Sequence, residues 1–405
     1  MRLQLSVFLA GMLLLAARLP AFEAVGTLER VDAGQGVVQV RANGQAHTVR
    51  AAVNVEVLGA DGQPLADGLH AAALKTGTVV SVSLDPGQGG PVLRVLRIGG
   101  RTSGPAAGRE AGRTSVGFKP LTEMTAEDRY QGEDGGLYGA GRNDPPAAHF
   151  AAARRETERI APLDANGRPA ANGTIGLVAI SMSNATQEYA LFKQLADADP
   201  RKSPRVAIVD CAQGGQAMAQ WVDPAGRPWA EAERRLAAAR VSTNQVQVIW
   251  VKLANVAPSG DLAAHGRKLQ RDTLAVLHDA RARFPNLRIA YLGSRIYGGY
   301  ATTRLNPEPY AYEGAFAVRW LIADQIRGDP ELAFQGAAQA PLLLWGPYFW
   351  ADGTTPRKSD GLVWERSDLR EDGTHPSESG RRKAAGMLMA FFEGDPLAST
   401  WFLRR

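Results

Sequence analysis

Two rhythms of apolar and polar positions divide this chain. From Val25 to Ile98 apolar residues alternate with polar ones in short runs: Gly26–Val31, Gly36–Arg41, His47–Arg50, Val53–Leu58, Thr78–Leu84 and Val92–Leu96. Turn-forming residues separate several of them, among them Ala33-Gly-Gln-Gly36, Asn43-Gly44, Asp61-Gly62 and Pro86-Gly-Gln-Gly-Gly90. A period of two marks strands with one buried face, and Gly/Asn/Asp pairs mark tight turns. Six short strands in this span predict a small all-β barrel, OB-like, over residues 23–98.

From residue 173 the rhythm changes. Continuous apolar runs fall at 175–180, 205–210, 246–253, 288–292 and 341–345. Longer helix-like stretches fall at 186–198, 228–239, 263–283, 312–327 and 376–393. Apolar runs without alternation are strands buried on both faces, and their alternation with helices predicts a parallel sheet covered on both sides. Between the two patterns, residues 99–115 are rich in Gly, Ser, Ala, Thr and Arg and read as a linker. Residues 116–172 are loop-heavy, with one helix-like stretch at 147–159, and belong with the α/β domain, residues 116–405.

Length and composition add the setting. A chain of 405 residues exceeds one typical domain, and 45% hydrophobic with 21% charged residues suits a globular protein with a sizeable core. The formal charge of +5 comes from scattered basic residues with no Lys/Arg stripe interleaved with aromatics, so a solvated basic surface is expected and no nucleic-acid partner. Residues 1–22 have the form of a signal peptide: Arg2, an apolar stretch from Val7 to Ala17, and Ala21 beside the cleavage point. Arg18 and Pro20 cut the apolar stretch short of a comfortable membrane span, leaving a retained anchor as the lesser alternative. Cys211 is the one cysteine, so no intramolecular disulfide forms. The expected location is secreted or periplasmic, in a bacterial envelope, without stable membrane insertion.

The chemistry gathers at strand ends, where open α/β sheets place their ligands. Ser181-Met-Ser183-Asn184 follows the first apolar run, at the start of a helix. A serine there is a helix cap or a nucleophile near the positive end of a helix dipole. Asp210-Cys-Ala-Gln-Gly214-Gly215 follows the second run; paired glycines let backbone N–H groups approach a ligand or simply make a turn. Asn255 follows the third, either to donate its amide or to close a turn. Asp372-Gly-Thr-His375-Pro376 precedes the last helix, and a carboxylate three residues ahead of a histidine can orient the imidazole.

In this order the residues resemble the SGNH (GDSL-like) hydrolase superfamily over about residues 173–395. The resemblance implies a three-layer, flavodoxin-like α/β fold. It makes Ser183 the nucleophile, with Ser181 as an alternative two residues earlier. It makes Gly215 (or Gly214) and Asn255 oxyanion donors, and Asp372 and His375 the remaining triad members. Ser181-Met182 stands where the family has Gly-Asp, and Val256 where an Asp usually follows the Asn. Ser183-Asn184 and Gly214-Gly215…Trp221 are also similar to the carbohydrate and sialate O-acetylesterase branch. The resemblance therefore implies an exported serine esterase acting on O-acyl, above all O-acetyl, groups of a small-molecule or polysaccharide substrate. A non-catalytic carbohydrate- or envelope-binding protein on the same fold is the alternative.

No phosphate loop and no His/Cys cluster at metal spacing is present, so no cofactor or metal is implied. Cys211 reads as a small buried side chain. His47 and His70 read as structural or exposed, and His265 and His278, 13 positions apart on one helix, as solvated. His149 is a minor pocket candidate. The aromatics of Tyr297–Tyr300, Tyr310–Tyr312 and Trp345–Trp350 either stack on sugar rings or pack the long loops.

Overall fold

The computed structural model describes residues 22–42, 45–59, 63–87, 90–98 and 113–404. The chain divides into two compact units, Met1–Arg109 and Glu110–Arg405. Residues 1–21, within the stretch expected to be a signal peptide, and residues 99–112 of the expected linker lie outside the described residues.

The first unit is a closed barrel of β1 (Phe22–Asp32), β2 (Val37–Ala42), β3 (Gln45–Leu58), β4 (Val79–Gly87) and β5 (Gly90–Ile98), in the order β1-β2-β3-β5-β4. β4 pairs antiparallel with β1 to close it, and β3 and β5 are the parallel pair. The alternating residues Val38 and Val40, and Val80, Val82 and Leu84, point inward with Leu28, Val49, Val57, Leu93 and Leu96. Leu93 and Leu96 both face in, although they are three apart, because the register slips between them. Ser83 pairs with Val95 and Leu84 with Leu93, which leaves Arg94 as an extra residue. Sequence periodicity suggested six strands, and five form. His47–Arg50 and Val53–Leu58 are one strand, continuous through Ala51-Ala52, because two alanines bend a strand without ending it and the slip is absorbed between Ala51 and Glu56.

The second unit holds a sheet of five parallel strands: β6 (Ile175–Ser181), β7 (Val206–Asp210), β8 (Val246–Lys252), β9 (Ile289–Leu292) and β10 (Leu342–Trp345). Across the sheet the order is β10-β9-β8-β6-β7. The chain moves from β6 to β7 on one side, then crosses to β8 on the other and continues outward. Neighbouring crossovers therefore leave the sheet in opposite directions at β6, which opens a crevice at the carboxyl end of that strand. All seven residues of β6 and of β8 are buried, as strands covered on both faces require.

One layer of helices contains α1 (Ala147–Glu158), α2 (Ser183–Ala198), α7 (Glu378–Gly394) and α8 (Ser399–Phe402). The other contains α3 (Met218–Trp221), α4 (Arg227–Ala238), α5 (Arg267–Arg283) and α6 (Tyr310–Ile326). Among the described residues, no helix is long and apolar enough to cross a membrane.

Candidate active site

β6 ends at Ser181, Met182 stays extended, and α2 begins at Ser183 with no intervening loop. Ser183 thus occupies the first turn of a 16-residue helix, where backbone N–H groups have no intrahelical acceptor and the helix dipole is positive. The two neighbouring serines have different fates. Ser181 is fully buried and its hydroxyl donates to the carbonyl of Lys252. The Ser183 Oγ lies 2.7 Å from Nε2 of His375.

His375 arrives on the loop between the 3-10 turn at Arg366–Asp368 and α7. That loop is tightly tied. Arg370 N–H donates to the His375 carbonyl at 2.8 Å, and Gly373 N–H to the Arg370 carbonyl at 2.9 Å. The Asp372 carbonyl accepts from the backbone N–H of Thr302 at 3.0 Å. Gly373 has φ +60°, and an added Cβ would collide with the Tyr300 carbonyl, so only glycine fits between the acid and the histidine. Oδ2 of Asp372 bonds Nδ1 of His375, while Oδ1 accepts the N–H groups of Thr374 and His375, each at 3.0 Å. Burial alone would raise the Asp372 pKa. The imidazole and the two backbone donors outweigh it and hold the carboxyl well below the usual carboxylate range.

The two glycines and the asparagine sit on either side of Ser183, because β7 and β8 flank β6. Met182 and Gln213 form a parallel bridge, and Gln213 N–H donates to the Ser181 carbonyl at 3.0 Å. The loop after β7 therefore runs alongside the serine. Gly215 has φ +72° and open space where a side chain would project; Gly214 is similarly uncrowded. Asn255 is half-buried in the loop after β8 and its amide has no hydrogen-bond partner among the described residues. A hydroxyl bonded to a ring nitrogen, with a carboxylate fixing the other nitrogen, is an arrangement for nucleophilic attack.

Several residues support this arrangement; Trp221 and Asp210 stood in the sequence motifs, whereas Arg235, Thr186, Lys252 and Glu188 carried no signal there. Trp221 Nε1 donates to the Ser181 carbonyl at 3.2 Å, and Arg235 bonds the carbonyls of Asp210 and Ala212 at 3.0 and 2.8 Å. Asp210 accepts from the Thr186 hydroxyl at 2.5 Å, which joins the end of β7 to the first turn of α2. Burial pushes Asp210 up to about 6. Beneath the serine, Lys252 and Glu188 form a fully buried ion pair, with the ammonium 4.8 Å from the Phe349 ring centroid.

Other candidates lie elsewhere. His265 is buried against Glu313 rather than solvated, because a π-type turn at Leu262–Gly266 re-aims it inward. His278 is partly buried and bonds the Glu331 carbonyl at 2.7 Å. His149 is buried in α1, and its Nε2 is 2.8 Å from the Leu343 carbonyl. Cys211 is buried and its thiol is pushed up to about 12 by burial. Tyr297, Tyr300, Tyr312, Trp345, Tyr348 and Trp350 are all buried and pack the loops, whereas Tyr310 is half-buried with its ring set edge to face against His265. Among the described residues no three His, Cys, Asp or Glu side chains gather as a metal ligand set.

No family model matches the chain, and no curated protein matches it. Solved structures give distant likenesses. A presumed acylhydrolase from Bacteroides fragilis is 10% identical, matching 64% of this chain and 100% of its own, with a TM-score of 0.33. A salicylyl-acyltransferase, SsfX3, from a tetracycline biosynthetic pathway is 12% identical over 57% of this chain and 59% of its own, with a TM-score of 0.30. Apo-CusF from Escherichia coli is 9% identical over 22% of this chain and 100% of its own, with a TM-score of 0.17. Likenesses this remote carry no argument about the chain's fold or activity.

Proposed function

We propose that this chain is an exported serine esterase that hydrolyses O-acyl, above all O-acetyl, esters on carbohydrate. One observation carries the reading: the continuous hydrogen-bonded chain Ser183–His375–Asp372 at the sheet's crevice. The strand order supports a flavodoxin-like, three-layer sheet of the SGNH type.

A serine hydroxyl is a weak nucleophile until a base takes its proton. His375 Nε2 takes it as Oγ attacks the ester carbonyl, and Asp372 steadies the imidazolium. The N–H groups of Ser183 and Gly215 and the amide of Asn255 bind the oxyanion, each donor worth roughly 10²–10³ in rate. The imidazolium then protonates the departing alcohol. Water, deprotonated by the same histidine, releases the acid from the acyl-serine. The carbohydrate alcohol rests on the residue pattern around Ser183-Asn184 and Gly214-Gly215…Trp221. No buried aromatic of the neighbouring loops contributes to it.

The test is labelling of the folded full chain by a fluorophosphonate probe, beside hydrolysis of an aryl acetate and of acetylated xylan. Labelling and turnover in the wild type, and neither in Ser183→Ala, are expected. A folded wild type that neither labels nor turns over any ester defeats the reading and leaves a carbohydrate- or envelope-binding protein.

A further inference from the structure

Glu308 stands just before α6, and although part of the residue touches solvent, its carboxylate is turned onto three buried partners. Oε1 accepts from Gly298 N–H at 2.8 Å and from Trp350 Nε1 at 2.7 Å. Oε2 accepts from Tyr312 N–H at 2.9 Å, in the first turn of α6. One carboxylate therefore joins the loop after β9, the loop after β10 and the start of a helix. Burial pushes its pKa up to about 7, even though all three donors favour the ionised form.

The Gly298 bond closes residues 298–308 into a compact loop of the Ω kind. Its ends meet closely: a Cβ added at Gly298 would lie 3.2 Å from the Glu308 nitrogen and 2.8 Å from the Ala311 Cβ. Between those ends the loop touches two parts of the proposed site. The Thr302 N–H and hydroxyl both donate to the Asp372 carbonyl, at 3.0 and 3.2 Å, and the Tyr300 carbonyl lies against Gly373. The Arg304 carbonyl accepts from Ala257 N–H at 2.9 Å. Ala257 stands two residues after Asn255 and has φ +49°, a left-handed conformation that an alanine keeps only when its surroundings hold it there. The loop of the acid and the loop of the asparagine thus both hang from residues 298–308.

We infer that Glu308 is a positioning residue: by closing this loop it holds Asp372 and Asn255 in place about Ser183. The inference rests on the esterase reading for its chemistry and on these hydrogen bonds for its mechanics. Glu308 itself reaches neither the serine nor the histidine; it acts through Thr302 and Arg304.

The experiment measures kcat and KM for an aryl acetate at pH 8, above the Glu308 pKa, together with amide hydrogen exchange at Thr302 and Ala257, all in the full chain. Glu308→Met removes every acceptor. Its kcat should fall about 10²-fold with KM barely moved, the scale for groups displaced by a fraction of their bonding distance, and both amides should exchange faster. Glu308→Asp, one methylene shorter, cannot reach Gly298 and Tyr312 together and should behave likewise; it decides the matter if Glu308→Met does not fold. Glu308→Gln can keep its oxygen on Gly298 and Trp350, so its kcat should stay close to the wild-type value while its melting temperature falls. A role confined to capping α6 would lower melting temperatures and leave kcat and both amides unchanged. Wild-type kcat in the folded Met or Asp variant, a loss in Glu308→Gln as large as in Glu308→Met, or unchanged exchange at both amides overturns the inference. If the wild type turns over no ester, the esterase reading fails, and the exchange comparison alone decides whether Glu308 holds the two loops.

Discussion

Replacing Asp372 by Asn tests the proposed chemistry at its most specific joint. Oδ1 of Asp372 accepts two backbone N–H groups at 3.0 Å, and an asparagine oxygen in the same place keeps both. The amide nitrogen then falls where Oδ2 met Nδ1 of His375. Two N–H donors cannot face each other, so the imidazole moves its proton to Nε2, the nitrogen beside Ser183 Oγ. A nitrogen that already carries a proton cannot take the serine's. The loss expected is about 10⁴ in kcat, the scale for a triad held in the wrong tautomer, or about 5 kcal/mol of transition-state stabilisation. The assay is aryl acetate hydrolysis over a broad pH range, with circular dichroism confirming the fold. Stability should change too. The folded pKa of Asp372 is depressed, so its carboxylate stabilises the fold above the ordinary value of about 3.9 and this is lost as pH falls toward the folded value. Asp372→Asn should therefore lose less stability on acidification than the wild type. A variant with near-full activity at every pH would show that the hydrogen-bonded chain is structural only, and the esterase reading would fall.

Ser183→Ala should abolish turnover with an unchanged melting temperature, whereas Ser181→Ala should stay active and cost about 1 kcal/mol for its lost bond to the Lys252 carbonyl, read by denaturant titration. Asp210 has a raised folded pKa of about 6, so the stability it contributes is full below its ordinary range and lost as pH rises through about 6. Asp210→Asn, which can keep both the Ala212 and Thr186 bonds, should gain roughly 1–3 kcal/mol at pH 8 and nothing at pH 4; equal effects at both pH values would refute this. A chain beginning at Glu110 should hydrolyse small esters as fast as the full chain. One beginning at Thr114 should melt lower, because it loses the Arg113 carbonyl that accepts from Tyr297 at 2.5 Å.

The periodic signals were legible because burial imposed them. β6, β8 and β10 lie between two helical layers, so each had to be apolar along its length, and the sequence runs end within one residue of the strands. The barrel was legible in kind and miscounted by one, because alternation cannot see across a bulge and Ala51-Ala52 looks like a break. Ser183, Asp372 and His375 stood out at element ends, but those positions alone left a helix cap or a turn open; only the resemblance to SGNH hydrolases gave them catalytic roles. The inward aim of His265 was not legible. Its partner Glu313 is 48 positions away, and the π-type turn that aims the ring inward leaves no mark on a 3.6-residue pattern. The loop aromatics looked like binding residues for a related reason: tyrosine and tryptophan serve packing and stacking equally well, and only burial separates the two.

Lys252 and Glu188 stand against the pattern in a different way. A lysine closes an otherwise nearly apolar strand and a glutamate lies on the buried face of α2, and from sequence alone each looks like a surface position. Both are fully buried and bonded to each other. The pair ties β8 to the helix that starts at Ser183, five positions before Glu188, while the Lys252 carbonyl takes the Ser181 hydroxyl. The strand and helix that present Ser183 are therefore cross-linked on both sides of it. Apolar packing alone would hold them together without fixing the helix's rotation, since Leu or Met side chains tolerate small slips. A buried ion pair does not, because parting the charges costs several kcal/mol. Lys252→Met should accordingly destabilise by about 3–5 kcal/mol, leaving Glu188 alone. The double variant Lys252→Met/Glu188→Leu should recover most of that stability. If the pair serves to hold Ser183 in register with His375, the double variant regains its melting temperature while kcat stays low and KM barely moves. Full recovery of both would reduce the pair to a packing feature with no part in placing the serine.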